Sequence, residues 1–574
     1  MIAILIASFL SSCIFLVFGN YFCKYCFNNI DYKKTEYSEN SLFGIIIFGF
    51  FTLLINFFLP LNKILGTLTI LISVVLILKF FLDEKEKKKL LTFLLTTSII
   101  TFFLILLSNI NRPDAGLYHL PFISMLNDSK IIIGSANIHF RFGHTSILQY
   151  ISAGFNNYFF SNSIINIPIA TILSIFIYYL IEKIFLLLNK NQKNISFIIF
   201  LILIFSLYAF NRYSNFGNDV PAHIYFFILV TFYLQIDNVR SLTINEFYKI
   251  NYLSIFLFAI KPFMVFVFII PLIDFIFSKK RLFLLKNKNF FICLIFFLAL
   301  CLKNVLISGC IVYPSKVSCL SNLKIFDADS TKVSQELGEA WAKGLIDQTD
   351  GKALSVEEFN KGFNWLNTWV SGHLNKIIEK LLPYFIFLIL LLIFLITKSF
   401  FLKKKINYVG NKELNIRILF IFSLTATFIW FLNFPVYRYG LAFFVTSFIL
   451  CYCIFFNKII NSFSASFYKK TFTTIIIIGI FAFISKNFIR IYKNINIDYV
   501  DYPWPKIYSI NDEIKNIPQK FRAIKKDGEI IYFYSADKLC MYSLSPCSYY
   551  FVNDLILKEK YGYKIYFKSK KLNH

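Results

Sequence analysis

Residues 112–149 read RPDAGLYHLPFISMLNDSKIIIGSANIHFRFGHTSILQ, and the fold turns on what this stretch is and what precedes it. It follows directly on an apolar run at 90–108 and gathers Asp114, His119, Asp128, His139, Arg141 and His144. Three of the 6 histidines in the chain fall inside it. A titratable group at membrane depth is costly, so in an apolar chain such groups collect where chemistry or a polar ligand requires them. The stretch therefore reads as the first large extracytoplasmic loop of a polytopic protein, with Asp114 as the leading catalytic candidate.

Composition points the same way. Of 574 residues, 57% are hydrophobic and 20% aromatic, where soluble chains carry about 45–50% apolar residues. The excess is Phe, Ile and Leu in long repeated runs, the signature of membrane spans. A net charge of +27 would suit nucleic acid. Here, however, Lys and Arg fall in short clusters between apolar runs, at 85–89, 279–281 and 403–405, as cytoplasmic loops require. There is no basic domain interleaved with aromatics, which argues against a nucleic-acid partner and leaves the lipid bilayer as the expected one.

The first run, 2–21, has no basic stretch before it and is long enough to span, so it reads as an uncleaved helix rather than a signal peptide. Further spans are expected at about 42–60, 64–82, 90–108, 164–187, 195–211, 220–237, 289–309, 381–400, 414–432, 439–457 and 472–489. Placing the basic loops 83–89, 188–194, 401–412 and 458–470 inside puts 109–163, 212–219, 310–380 and 433–438 outside. One run breaks the alternation. Both flanks of 251–277 are basic, and Lys261-Pro262 sits at its middle. A charge followed by a helix breaker suggests a re-entrant hairpin with its tip toward the outer side. The alternative is one long span with a snorkelling lysine. With the hairpin, an all-α polytopic domain of twelve spans occupies 1–490, and a small α+β extracytoplasmic domain occupies 491–574.

Loop 310–380 is rich in Asp, Glu, Ser and Thr, with short helices expected near 334–344 and 356–368. Trp365 and Trp369 near its end read as interface anchors, with sugar stacking as the alternative. In the tail, Glu529–Ser535 and 564–568 read as strands. Of 11 cysteines, Cys310 with Cys319 and Cys540 with Cys547 lie in polar outer segments and are disulfide candidates. Cys23-x-x-Cys26 has zinc-like spacing but no second pair.

Asp114 follows Pro113, as suits the first turn of a helix, with Tyr118 four residues on and His119 next. A carboxylate at the outer face can act as general base toward an acceptor hydroxyl or amine. It can also hold a divalent ion, Mg or Mn, on a phosphate leaving group. Its plain alternative is a helix cap. Asp219, in NDVPAH, lies at the outer start of a span with the same choice, site carboxylate or N-cap. Arg438, between Tyr437 and Tyr439, could pair bidentately with a lipid phosphate or merely snorkel. Lys261 could serve that phosphate from the hairpin tip, while Arg141, His139 and His144 could line the cavity. The chain contains no GxxxxGK[ST], HExxH, GxSxG or GxGxxG, so a nucleotide-driven pump or cytosolic hydrolase domain has no motif behind it.

Asp114 with Tyr118-His119, Asp219-Val-Pro-Ala, the Lys261-Pro262 hairpin and Arg438 together resemble the GT-C class of membrane glycosyltransferases. More closely, DAGLYHLPFIS, GSANIHFRFGHTS and CMYSLSPCSYY resemble a family of uncharacterised bacterial multipass membrane proteins, over about residues 40–550. The GT-C likeness implies transfer of a sugar from a polyprenyl-phosphate donor to a lipid-linked or envelope glycan on the outer face of the cytoplasmic membrane. In that reading Asp114 is the base or metal ligand, Asp219 its partner with His119 beside them, and Arg438 and Lys261 hold the donor phosphate. Unlike many GT-C enzymes, Asp114 has no adjacent acidic residue, and four spans precede its loop. A transporter or flippase of a lipid-linked or anionic envelope precursor is the competing expectation.

Overall fold

The computed structural model describes residues 2–27, 36–108, 114–160, 162–210, 217–236, 242–278, 281–347, 354–402, 413–495, 521–526, 528–536, 539–542 and 544–569. Arg112, Pro113, Arg240, Lys279, Lys280 and the basic cluster 403–405 lie outside them. Four helices come first: α1 (Ile2–Phe27), α2 (Tyr37–Asn56), α3 (Lys63–Asp83) and α4 (Lys87–Ile105). The segment expected on the outer side then carries α5 (Leu120–Asp128) and α6 (Ile147–Ala153). Next are α7 (Ile167–Asn189), α8 (Lys193–Ala209), α9 (Asp219–Gln235), α10 (Ile244–Ile260), α11 (Ile269–Phe277), α12 (Arg281–Leu285) and α13 (Lys288–Ser308). The second segment expected on that side holds α14 (Ala328–Ala342), α15 (Val356–Asn360) and α16 (Leu366–Trp369). The last helices are α17 (Asn375–Leu402), α18 (Glu413–Asn433), α19 (Tyr437–Phe455), α20 (Asn457–Asn461) and α21 (Ala465–Asn494).

Among the described residues ten helices are long and apolar enough to cross a membrane, so the protein is a multi-pass helical membrane protein. These ten coincide with ten of the twelve expected spans. The other two, α8 and α9, are helices of 17 residues. Burial sorts the bundle into layers. The α7 span is 89% buried, whereas those of α3 and α21 are 28% and 22% buried. The peripheral helices accordingly show Leu68, Leu71, Ile72, Val75, Ile477 and Ile478 to the surroundings, where lipid takes the place of a core.

Close approach of α1 to α2 rests on two glycines. A Cβ on Gly19 would lie 1.7 Å from the Asn40 carbonyl oxygen, and one on Gly44 the same 1.7 Å from that of Phe15. Small residues let backbones meet where lipid gives no hydrophobic drive for helices to associate. At the end of the bundle away from residue 114, Lys183 of α7 pairs with Glu36 and, at 2.8 Å, with Glu39 of α2. Glu39 also takes Lys249 of α10 at 2.6 Å. Each charge there has a partner, which is the condition for burying it.

The 251–277 run does turn back. Helix α10 ends at Lys261, residues Pro262–Phe268 form a 3-10 turn, and α11 returns alongside. The rings of Phe258 and Phe268 lie 5.8 Å apart and those of Phe247 and Phe275 6.4 Å apart, so the two arms run antiparallel. Pro262 brings no N–H to continue the α10 ladder, and the chain reverses there.

The tail contains β1 (Phe521–Lys526), β2 (Glu529–Ser535), β3 (Cys547–Ser548), β4 (Leu555–Lys560) and β5 (Tyr563–Lys568). Strand β2 pairs antiparallel with β1 and parallel with β3, while β4 and β5 form an antiparallel hairpin. Disulfides join Cys310 to Cys319 and Cys540 to Cys547. The tail lies directly on the segment that carries α5 and α6. The Ile133 amide donates to the Lys564 carbonyl at 3.0 Å, and the Tyr566 amide donates to the Ile133 carbonyl at 2.8 Å. Tail and outer segment thus share one face of the bundle. Trp365 and Trp369 correct the expectation of interface anchors: both are buried, packed on Phe431, with the Trp369 indole N–H donating to the Pro435 carbonyl at 2.7 Å.

Candidate functional site

Asp114 stands at the head of a five-residue π turn, Ala115–His119. Single π turns recur at functional sites because the extra residue re-aims side chains. The turn is clamped from the tail: the Met541 amide donates to the Gly116 carbonyl at 2.8 Å, and a Cβ on Gly116 would meet the Met541 sulfur at 2.5 Å. Asp114 makes no side-chain cap hydrogen bond, so helix capping does not account for it, and at the start of α9 the N-cap is Asn218 rather than Asp219.

They are engaged by cations instead. Arg141 Nη1 donates to Asp114 Oδ1 at 3.1 Å. Arg438, in the first turn of α19, reaches Asp114 Oδ2 with Nη1 at 3.7 Å and Asp219 Oδ2 with Nε at 3.5 Å. Lys261 Nζ donates to Asp219 Oδ1 at 2.6 Å. The result is an alternating array, Arg141–Asp114–Arg438–Asp219–Lys261, in which three cations face two carboxylates and one positive charge is in excess. The array is graded in depth: Lys261 is 17% exposed and Arg438 45%. Aromatic faces hold the cations in place. Lys261 Nζ stands 3.4 Å from the Tyr439 ring centre, Arg438 lies 5.4 Å from both Tyr439 and Trp341, and Arg141 lies 5.1 Å from Tyr118.

Beside Arg438 opens an apolar groove of about 670 Å³, lined among others by Trp369, Leu381, Phe428, Trp430, Tyr437 and Leu441. On α19, Tyr437, Gly440, Leu441 and Phe444 form one wall of it at helical spacing. None of the five charged residues lines the groove, which comes nearest to them in the chain at Tyr437, the neighbour of Arg438. A family model described as a domain of unknown function, DUF8201, matches residues 1–445.

The chain belongs to the DUF8201 family. No curated protein and no solved structure matches it. The region matched by the DUF8201 model takes in Asp114, Arg141, Asp219, Lys261 and Arg438, while the tail that clamps the π turn lies beyond it.

The histidines of this DUF8201 protein stand around the array rather than in it. His119 is 3% exposed, and its Nδ1 lies 3.0 Å from Gln149 Nε2. Because Gln149 Oε1 accepts from the Ser146 amide, its Nε2 is the donor, which leaves the His119 proton on Nε2. Burial lowers the His119 pKa to about 4, and that of His139 to about 3. His139 Nδ1 accepts from the Arg141 amide at 3.0 Å, which fixes the loop that carries Arg141. His144 packs at 5.1 Å on Tyr313, and burial lowers its pKa to about 4. All three are neutral near pH 7 and act as positioning groups. His223 adds one more restraint, its Nε2 2.8 Å from the Arg438 carbonyl.

Several contributors had no role in the sequence reading. Tyr439 was noted only as a neighbour of Arg438, yet its ring lies under two cations. Trp341 sits in an acidic outer segment with no motif to single it out. Lys303 of α13 is buried and donates to the Thr145 carbonyl and hydroxyl at 3.0 and 3.1 Å, bracing the residue after His144. Tyr549, from the tail, packs its ring 4.7 Å from His139. Among the described residues no three His, Cys, Asp or Glu side chains are grouped to share a metal ion, and Cys23 and Cys26 are buried free thiols.

Proposed function

We propose that this DUF8201 protein is a GT-C-like glycosyltransferase of a bacterial cytoplasmic membrane. It would pass a sugar from a polyprenyl-phosphate donor to a lipid-linked or envelope glycan on the outer face. The observation that carries the reading is the alternating charge array centred on Arg438, with an apolar groove lined by its neighbour Tyr437 on the same helix. A polyprenyl phosphate has those two halves, an anionic head and a long hydrocarbon tail. Arg438 and Lys261 would hold the head, while the groove would take the first isoprene units. Asp114, with 37% of its side chain exposed, is the carboxylate open to an acceptor. It would take the proton of the acceptor hydroxyl as the acceptor oxygen bonds to the anomeric carbon. The bond from that carbon to the phosphate oxygen breaks, and polyprenyl phosphate leaves with the electron pair.

A transporter of an anionic envelope precursor is the second reading. The break at Lys261-Pro262 favours it, as does Asp274 on the returning arm, a fully buried carboxyl that accepts from the Tyr233 hydroxyl at 3.3 Å. Mass spectrometry of envelope glycans and lipid-linked sugars in cells lacking the protein separates the two. Transfer predicts that one sugar disappears and that wild type restores it while Asp114→Asn does not. Full restoration by Asp114→Asn, with precursor accumulating in the deletion strain, would refute transfer chemistry at Asp114 and favour transport.

A further inference from the structure

We infer that this centre binds a phosphate-bearing ligand through its cations alone, with the Arg438 guanidinium occupying the place between Asp114 and Asp219 that a bridging divalent ion would need. The inference rests on reading the centre as the donor-phosphate site and adds how that phosphate is held. A bridging Mg or Mn ion needs open carboxylate oxygens at about 2.0–2.2 Å and further oxygen or nitrogen ligands to complete roughly six. Here each carboxylate oxygen faces a cation: Asp114 Oδ1 faces Arg141, Asp219 Oδ1 faces Lys261, and both Oδ2 atoms face Arg438. A divalent ion placed there would meet three positive side chains. Among the described residues, moreover, no third His, Cys, Asp or Glu side chain is grouped with the two carboxylates to complete a metal site.

The same geometry suits an anion. One positive charge is in excess, and a planar guanidinium presents two parallel N–H groups to phosphate oxygens. Arg438 is the cation least tightly held by the carboxylates. Its contacts to Asp114 and Asp219, at 3.7 and 3.5 Å, are longer than hydrogen bonds, and it is the most exposed member of the array. Lys261, by contrast, is held at 2.6 Å. An arriving phosphate would therefore draw Arg438 toward itself and loosen its hold on Asp114, the proposed base. Binding of the donor would thereby free the acceptor side.

The test uses the full chain in nanodiscs with three probes: manganese ion, undecaprenyl phosphate and inorganic pyrophosphate. Electron paramagnetic resonance should detect no stoichiometric Mn site that depends on Asp114. Undecaprenyl phosphate should bind equally with or without excess EDTA, and Arg438→Gln should weaken it by about tenfold or more, the loss of one charge-assisted bidentate contact. Arg438→Lys, which keeps the charge and loses the fork, should fall between the two and guards against a misfolded Gln variant. A Mn ion bound one to one and released by Asp114→Asn, or lipid binding abolished by EDTA, overturns the inference while leaving the donor reading intact. EDTA-resistant binding of pyrophosphate with no binding of the lipid keeps the inference and refutes the polyprenyl donor. Failure of both anions to bind, with or without Mn, overturns it as well.

Discussion

Replacing Lys261 with methionine removes the charge at the hairpin tip and leaves its length. Lys261 and Asp219 lie 2.6 Å apart with side chains 17% and 22% exposed. The pair is therefore closer to a buried ion pair than to a surface one. Breaking a fully buried pair from one side costs about 3–5 kcal/mol, because the remaining charge is stranded; a solvent-exposed pair is worth about 0–1 kcal/mol. Asp219 would keep Arg438 at 3.5 Å and some water, which lowers the first figure. The cation–π contact at 3.4 Å to Tyr439 is also lost, worth about 1 kcal/mol. We expect Lys261→Met to destabilise by about 2–3 kcal/mol. Adding Asp219→Asn removes the stranded charge, so the pair of substitutions should cost less than the sum of the two, with a coupling of about 1–2 kcal/mol. A double-mutant cycle by reversible SDS unfolding of the full chain in detergent micelles measures it. Additivity within about 0.5 kcal/mol would mean that the two groups do not interact. The hairpin tip would then not reach the outer start of α9, and the array would not exist as described.

Three further outcomes follow from other parts of the fold. His119 and His139, held by burial at pKa values of about 4 and about 3, stay neutral in the folded outer segment, whereas the unfolded chain takes up protons near pH 6.5. Their contribution is present above about pH 6.5 and lost as pH falls toward 4, at about 1.4 kcal/mol per unit for each histidine. Hydrogen exchange across 114–144, corrected for its intrinsic rate, should accelerate from pH 7 to about 5, and His119→Gln should flatten the slope; a flat wild-type profile would refute the burial argument. Gly44→Leu should prevent recovery of a monodisperse protein, since even a Cβ there meets the Phe15 carbonyl oxygen at 1.7 Å. Gly338→Ala, on α14 with nothing within 4 Å, should instead stabilise, by about 0.5–1 kcal/mol. A normal Gly44→Leu protein would refute the α1–α2 contact.

Local properties of the chain were enough for much of this. Run length and apolar content mark spans without reference to any partner, and ten long helices fall where the runs are. A charge followed by proline predicts a break at Lys261, because missing N–H groups and ring clashes act within one turn. Both cysteine pairs lie close in sequence, so a short loop suffices to join them. The residue types of the site, Asp114, Asp219, Lys261 and Arg438, stand out because ionisable groups are rare in so apolar a chain. What they do with one another is a different matter. Helix caps and site carboxylates have the same local signature, and only the packing of α9, α10 and α19 around the first outer segment turned both aspartates toward Arg438. Trp365 and Trp369 read as interface anchors but are buried, because α18 packs its Phe431 against both rings. Nothing local indicated that Met541 would clamp the π turn at Gly116, or that Tyr439 would lie beneath two cations. Those contacts join segments far apart in the chain. Their energies exist only once the bundle has brought the segments to a few ångströms, so no window of sequence contains them.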